Sequence, residues 1–241
     1  MSDVILFFPK SEEKDIVLLP ASVLMVAAPL VKAGYKVKII DQRVDKNWKQ
    51  TLLEEAAKDP LVFGVSALTG AQILNGLEAS KLVKACSSVP VLWGGVHPSL
   101  LPKQTLENKY IDFVVVGEGE ETLLELIKAL ETKSPLKKIK GLGYKDNGKI
   151  FLSPQREFID LDKLPEIPYH LINIENYIEK KSFATGRIGR DMAFYTSRGC
   201  PHRCGFCYNK EFNKQGWRGK SSEKVVGDMK KLIQDYQKYQ Q

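Results

Sequence analysis

Cys200, Cys204 and Cys207 fall within eight residues, in the run Cys-Pro-His-Arg-Cys-Gly-Phe-Cys. Thiols at this spacing fold back around one centre, and three soft sulfur ligands on one loop suit a cubane iron–sulfur cluster. The only other cysteine is Cys86, so one iron would keep an open position for a substrate or cofactor. The spacing differs from the four-cysteine ferredoxin run. Zinc is the main competing metal. A structural zinc site takes four protein ligands, and His202 lies in the same loop. Two residues from each flanking cysteine, however, it is awkwardly placed for joint tetrahedral ligation. A disulfide is the remaining alternative, since four cysteines could pair in a secreted chain. Crowding three of them into one loop favours metal ligation in a reducing compartment instead. Cys86 ends an apolar helical pattern and reads as a small buried residue.

Stepping along the chain, short apolar runs alternate with helical spacing as far as residue 133. Runs at 4–8, 35–40, 61–65, 91–93 and 113–116 read as buried parallel strands, and 20–33, 48–58, 71–86 and 120–131 as helices. This pattern predicts an α/β fold: a flavodoxin-like, Rossmann-like five-stranded parallel sheet in the order 2-1-3-4-5, with helices on both faces. Ligands of such sheets bind beyond the carboxyl ends of the strands. Those ends carry Ser66-Ala67-Leu68-Thr69-Gly70, Gly94-Gly95 and Gly117-Glu118-Gly119. Glycine there lets backbone approach a ligand closely, although it also simply turns the chain.

Residues 139–154 read as a hairpin turning at Asn147-Gly148. Residues 155–190 show little periodicity and read as a linker. The expected organisation is therefore a domain over 1–135, a hairpin and linker over 136–190, and a second unit over 191–241. That unit begins with a strand at 193–196 leading into the cysteine loop and ends in a helix over 222–238.

Net charge is +7, and residues 187–241 account for all of it, with 12 Lys and Arg against 5 Asp and Glu. A solvated face or a site for an anionic ligand explains this excess, and no nucleic-acid recognition motif accompanies it. No stretch reaches 18 uncharged apolar residues, so no membrane span is expected. The opening MSDVILFFPKSEEKD lacks a basic leader region and reads as a first strand, which favours a cytoplasmic location.

Thr196-Ser-Arg-Gly-Cys200-Pro-His-Arg-Cys204-Gly-Phe-Cys207 resembles the CxxxCxΦC signature of the radical S-adenosylmethionine (SAM) enzymes, with Phe206 as the aromatic residue. The preceding 130 residues resemble the cobalamin-binding domain found upstream of that signature in a large subfamily. The matching features are Ser66-Ala-Leu68, Trp93-Gly-Gly-Val-His-Pro98 and Val116-Gly-Glu-Gly-Glu-Glu-Thr122. Trp217-Arg-Gly-Lys-Ser-Ser-Glu223 resembles the stretch leading into the first helix of the radical SAM barrel, a partial TIM-type barrel.

The resemblance implies roles. Cys200, Cys204 and Cys207 would ligate a 4Fe-4S cluster whose open iron takes SAM, and Phe206 would lie near the adenine. One electron from the cluster would cleave SAM to a 5′-deoxyadenosyl radical. Ser66, Leu68, Gly94, Gly95, Gly117, Glu118 and Gly119 would bind cobalamin. No side chain is assigned as a catalytic residue. An external electron donor of flavodoxin or ferredoxin type is implied. The commonest chemistry is methyl transfer from methylcobalamin to an unactivated carbon; cyclases and rearrangement enzymes share the same signature. The substrate is not legible. Two further possibilities are a non-catalytic cobalamin or iron–sulfur module, and a receiver or nucleotide-binding domain with a zinc knob.

Two departures stand out. The Asp-x-His-x-x-Gly loop of many cobalamin domains is missing, and residues 9–19 hold no histidine. His97, His170 and His202 are the only histidines, and His97 reads as a loop residue. The expectation is cobalamin bound with no protein histidine on cobalt. Only 34 residues follow Cys207, where a radical SAM barrel needs about six β-α units. The expectation is thus a fragment or truncated chain, inactive by itself. Arg198 and Arg203 flank the cysteine loop, and either a charge-balancing role or solvated surface accounts for them.

Overall fold

Alternation of side chains along a strand sends Val4 and Leu6 to one face and Ile5 and Phe7 to the other, and all four are buried. That requires helices on both faces. The computed structural model, which describes residues 2–11, 17–181 and 188–238, has them. Strands β1 (Val4–Phe8), β2 (Val37–Asp41), β3 (Val62–Ser66), β4 (Val91–Gly94) and β5 (Phe113–Val115) alternate with helices α1 (Ala21–Lys32), α2 (Trp48–Ala56) and α3 (Ala71–Cys86). Two short helices, α4 (Val96–Leu100) and α5 (Pro102–Glu107), join β4 to β5, and α6 (Glu120–Thr132) follows β5. The five strands are parallel in the expected order 2-1-3-4-5.

One face of the sheet buries Leu6, Leu92 and Val115 against Leu24, Leu30, Leu123 and Ile127 of α1 and α6. The other buries Phe7, Phe63 and Trp93 beneath Trp48, Leu52 and Ala79 of α2 and α3. Trp93 donates its indole N–H to Ser80 Oγ at 3.0 Å, which satisfies the one polar atom of that ring. Cys86 is exposed rather than buried. It lies one turn beyond buried Val83 and closes α3, so no further turn of the helix covers it.

The hairpin forms as expected, with Asn147 at φ 48° and Gly148 at φ 76°. Its strands β6 (Leu142–Asp146) and β7 (Lys149–Leu152) do not stand apart from the sheet. β6 pairs antiparallel with β5, so the sheet has seven strands.

The stretch after the hairpin packs onto the first unit through single 3₁₀ turns that bury Leu161, Tyr169, Ile174 and Tyr177. Residues 182–187 of the expected linker lie outside the described residues. A short pair, β8 (Glu179–Lys181) and β9 (Ile188–Asp191), precedes the second unit. The strand expected at 193–196 lies further on, as β10 (Ser197–Gly199), followed by α7 (Asn209–Phe212), β11 (Trp217–Gly219) and α8 (Ser222–Lys238). The apolar residues of the 193–196 run serve packing rather than ladder pairing: Phe194 joins the α1/α6 core, and Tyr195 reaches the cavity described next. β10 pairs antiparallel with β11.

Candidate functional site

A cavity of about 360 Å³ opens at the carboxyl edge of the parallel sheet, on the α1 and α6 face. Leu6, Leu92 and Val115 of the strands and Val23 and Val26 of α1 give it apolar walls. Ser22 and Ser66, whose hydroxyls lie 2.8 Å apart, add a polar spot on the sheet side. Gly94 has no side chain to fill it: a Cβ there would meet nothing nearer than Val115 Cβ at 3.9 Å. Gly95, at φ 96°, is under a different constraint. A Cβ there would lie 2.9 Å from the Ala67 carbonyl oxygen, so the close approach of two strand ends requires glycine.

The remaining wall comes from the segment around the cysteines: Tyr195, Ser197, Arg198, Tyr208 and Phe212. An ion network fastens this wall to the sheet. Arg198 Nη1 donates to Glu118 Oε1 at 2.9 Å, and Nη2 donates to Glu120 Oε1. Arg218 Nη2 donates to the same Glu118 oxygen at 2.5 Å and Nη1 to the Ile159 carbonyl at 2.8 Å. Ile159 N–H donates to Glu118 Oε2 at 2.9 Å. Glu118 is only 7% exposed and Glu120 3%. Burial by itself would raise the Glu118 carboxyl, but the Arg218 and Arg198 guanidiniums and the Ile159 amide hold it below its usual range. Arg218 also lies over the Phe158 ring, 4.3 Å from its centroid. Arg198 is therefore no solvated surface charge, being 18% exposed and held by two carboxylates.

Of the residues singled out from sequence, Ser66, Gly94, Gly95, Gly117, Glu118 and Gly119 all line the cavity. Leu68 is not among the lining residues: it is 45% exposed, with its N–H held by Gln72 Oε1 at 2.8 Å. Buried Gln72 donates in turn to the Pro9 carbonyl at 2.9 Å, so one side chain braces the loops after β1 and β3. Residues 12–16 of the histidine-free loop lie outside the described residues. His97 is not in a loop: it is buried in α4, its Nδ1 3.2 Å from Thr69 Oγ1, and burial lowers its pKa.

Cys200 and Cys207 are half-buried and Cys204 is exposed; all are free thiols. Cys207 N–H donates to the Cys204 carbonyl at 3.1 Å, and Asn209 Nδ2 to the Cys200 carbonyl at 3.4 Å. Phe206 points outward, 94% exposed. Among the described residues, no three His, Cys, Asp or Glu side chains converge closely enough to hold a metal ion. Three thiols on one loop are nevertheless the donor set that suits an iron–sulfur centre.

Glu120 and Arg218 stood inside quoted motifs without a role of their own, and Gln72 was not singled out. No spacing rule could have found the ion network, since Glu118 and Arg218 are 100 residues apart. The one available signal was two glutamates in a glycine-rich strand end, where a buried carboxylate needs a cation.

Residues 17–127 match the family model described as B12 binding domain. Over 214 residues the chain is 35% identical to an uncharacterised methyltransferase of Pyrococcus horikoshii, covering 87% of this chain and 45% of that protein. It is 29% identical to the anaerobic magnesium-protoporphyrin IX monomethyl ester cyclase of a Synechocystis species, covering 87% of this chain and 42% of the relative. The chain thus spans less than half the length of these relatives. Among solved structures, the cobalamin-dependent S-adenosylmethionine radical enzyme OxsB with aqua-cobalamin bound matches with a TM-score of 0.77 at 25% identity. That match covers 96% of this chain and 31% of OxsB.

Proposed function

We propose that the chain belongs to the radical SAM enzymes that carry a B12-binding domain, and that it forms the cofactor-binding portion of a cobalamin-dependent methyltransferase acting on an unactivated carbon. The observation that carries this reading is the juxtaposition of an apolar cavity at the sheet edge with the segment bearing Cys200, Cys204 and Cys207. The residues present fit a corrinoid: a cavity of about 360 Å³ with apolar walls takes a planar aromatic base and is too small for the macrocycle. The larger ring would then lie over the strand ends, where Gly94, Gly95, Gly117 and Gly119 let backbone come close, Ser66 lines the cavity and exposed Leu68 would meet the ring.

When bound, the cluster would supply the electron that cleaves SAM, and cobalamin would carry the methyl group. Cys200, Cys204 and Cys207 would hold the cluster, with Phe206 beside the adenine of SAM. Cobalt would have no histidine from this chain: His97 is engaged with Thr69, and nothing of that type stands in the cavity wall. The electron donor would be an external flavodoxin or ferredoxin. The cyclase relative at 29% identity supports a second reading, in which the same cofactors drive ring closure.

Anaerobic reconstitution with iron, sulfide and hydroxocobalamin tests the assignment. A brown chain carrying inorganic sulfide and corrinoid is expected, and Cys→Ala changes at the three positions should remove iron while leaving corrinoid bound. Material that stays free of sulfide after reconstitution overturns the cluster assignment, and material that takes up no corrinoid overturns the cavity assignment. Product analysis with SAM and a reductant separates methylation from cyclisation.

A further inference from the structure

The cavity is composite. Sheet and α1 make its floor and one side, while Tyr195, Arg198, Tyr208 and Phe212 make the other. These last residues bracket the cysteine loop, and Arg198 stands two positions before Cys200. Polar links tie this wall to the first unit. Arg198 grips Glu118 and Glu120, and Arg218 grips Glu118 from the neighbouring strand. Both arginines sit in the register of one antiparallel pair, Arg198 opposite Arg218. The fork of each guanidinium makes the grip directional, which a lysine ammonium would not.

We infer that the cavity and the cysteine loop are coupled binding sites, with Arg198 as the positioning residue that links them. The inference rests on the corrinoid reading given above and goes beyond it. A ligand in the cavity gains contacts only when the Tyr195–Phe212 wall is docked, so its binding stabilises the docked wall. A cluster that gathers the three cysteines orders the same wall from within. Each therefore favours the conformation that the other needs, and the two affinities must rise by the same factor. Glu118 and Glu120 start on the β5 side of the cavity and Arg198 on the cysteine side, so the ion network is where the two halves meet.

The test uses the full 241-residue chain, with and without reconstituted cluster, titrated with hydroxocobalamin under anaerobic conditions. The wild-type chain should bind about tenfold more tightly when the cluster is present, within the ordinary range of coupling between sites. Arg198→Met combined with Glu120→Gln removes a charge from each side, so no buried charge is orphaned and the fold should survive. That double variant should bind equally weakly with and without cluster. Arg198→Lys should recover only part of the difference. Arg156→Ala serves as control: Arg156 grips α6 through Glu121 and Glu125 but does not line the cavity, so the full difference should persist.

Amide hydrogen exchange supplies a readout that a purely structural role would not move. Adding hydroxocobalamin should slow exchange across residues 195–212 in the wild type and not in the double variant. Equal affinity with and without cluster in the wild type overturns the inference while leaving the corrinoid reading intact. So does a double variant that keeps the full difference. No binding of hydroxocobalamin to any form overturns both.

Discussion

Tyr177 Oη donates to Asp41 Oδ2 at 3.0 Å across 136 residues, and neither group reaches solvent to any extent. Asp41 ends β2, and Arg43 completes its pairing through Nη2 at 2.6 Å and Nε at 3.0 Å. The stretch after the hairpin is thus pinned to the far edge of the parallel sheet. Tyr177→Phe should cost about 1–3 kcal/mol, the worth of a hydrogen bond to a charged acceptor. Asp41→Ala should cost about 3–5 kcal/mol, because it strands a buried guanidinium. Urea denaturation of the two variants checks the order, which reverses if the phenol rather than the ion pair dominates.

Gly94 and Gly95 should respond in opposite ways. Gly94→Val projects methyl groups into open cavity, so stability should hardly change while hydroxocobalamin binding weakens about tenfold, the effect of ~1–3 kcal/mol of overpacking. Gly95→Ala meets backbone at 2.9 Å and a positive φ, so it should lower the thermal midpoint instead. Melting curves and corrinoid titrations on both variants separate cavity from scaffold.

Gly199 stands immediately before Cys200 at φ 86°, and a Cβ there would lie 2.0 Å from the Gly216 carbonyl oxygen. That oxygen is backbone and cannot swing aside. Gly199→Ala should force β10 away from β11 at a cost of about 1–3 kcal/mol in strain before the clash is counted. Iron uptake should fall with it, measured against wild type by metal and sulfide content. Undiminished iron content would show that the cysteine loop folds independently of this pair.

His97 ties stability to pH. Burial lowers its pKa in the folded chain, whereas the unfolded chain takes up the proton near the ordinary value of 6.5. Below that value the unfolded state binds more protons, so stability falls as pH drops, until pH passes below the lowered folded value. His97→Gln should flatten this part of the curve. Thermal midpoints of the two chains between roughly pH 7 and 5, spanning the ordinary histidine range, provide the comparison; parallel curves would place the titration elsewhere.

The parallel strands were legible because most are short apolar runs buried on both faces, as Val4–Phe8 is; β2, with Lys38 and Asp41, was legible from its place between two helical patterns. Turn chemistry at Asn147-Gly148 located the hairpin but not its destination, since edge pairing with β5 leaves no local signature. The cysteine loop was visible from spacing alone, and the glycine-rich strand ends pointed to the cavity. Arg198 illustrates the limit: one arginine among many basic residues looks like surface until the fold brings Glu118 and Glu120 to it. His97 and Cys86 erred in opposite directions for one reason. Burial at a helix end, as at Cys86 closing α3 and His97 opening α4, depends on what crosses over it, which no periodicity encodes.

Pairing of β6 with β5 decides where the chain could be divided. Severed at residue 135, the parallel sheet would keep its helices yet lose the ribbon that saturates the Phe113–Val115 ladder, baring amide and carbonyl groups beside Val114 and Val115. Raw strand borders of that kind recruit neighbours and precipitate. Severed past Pro154 instead, the piece would carry its own selvedge.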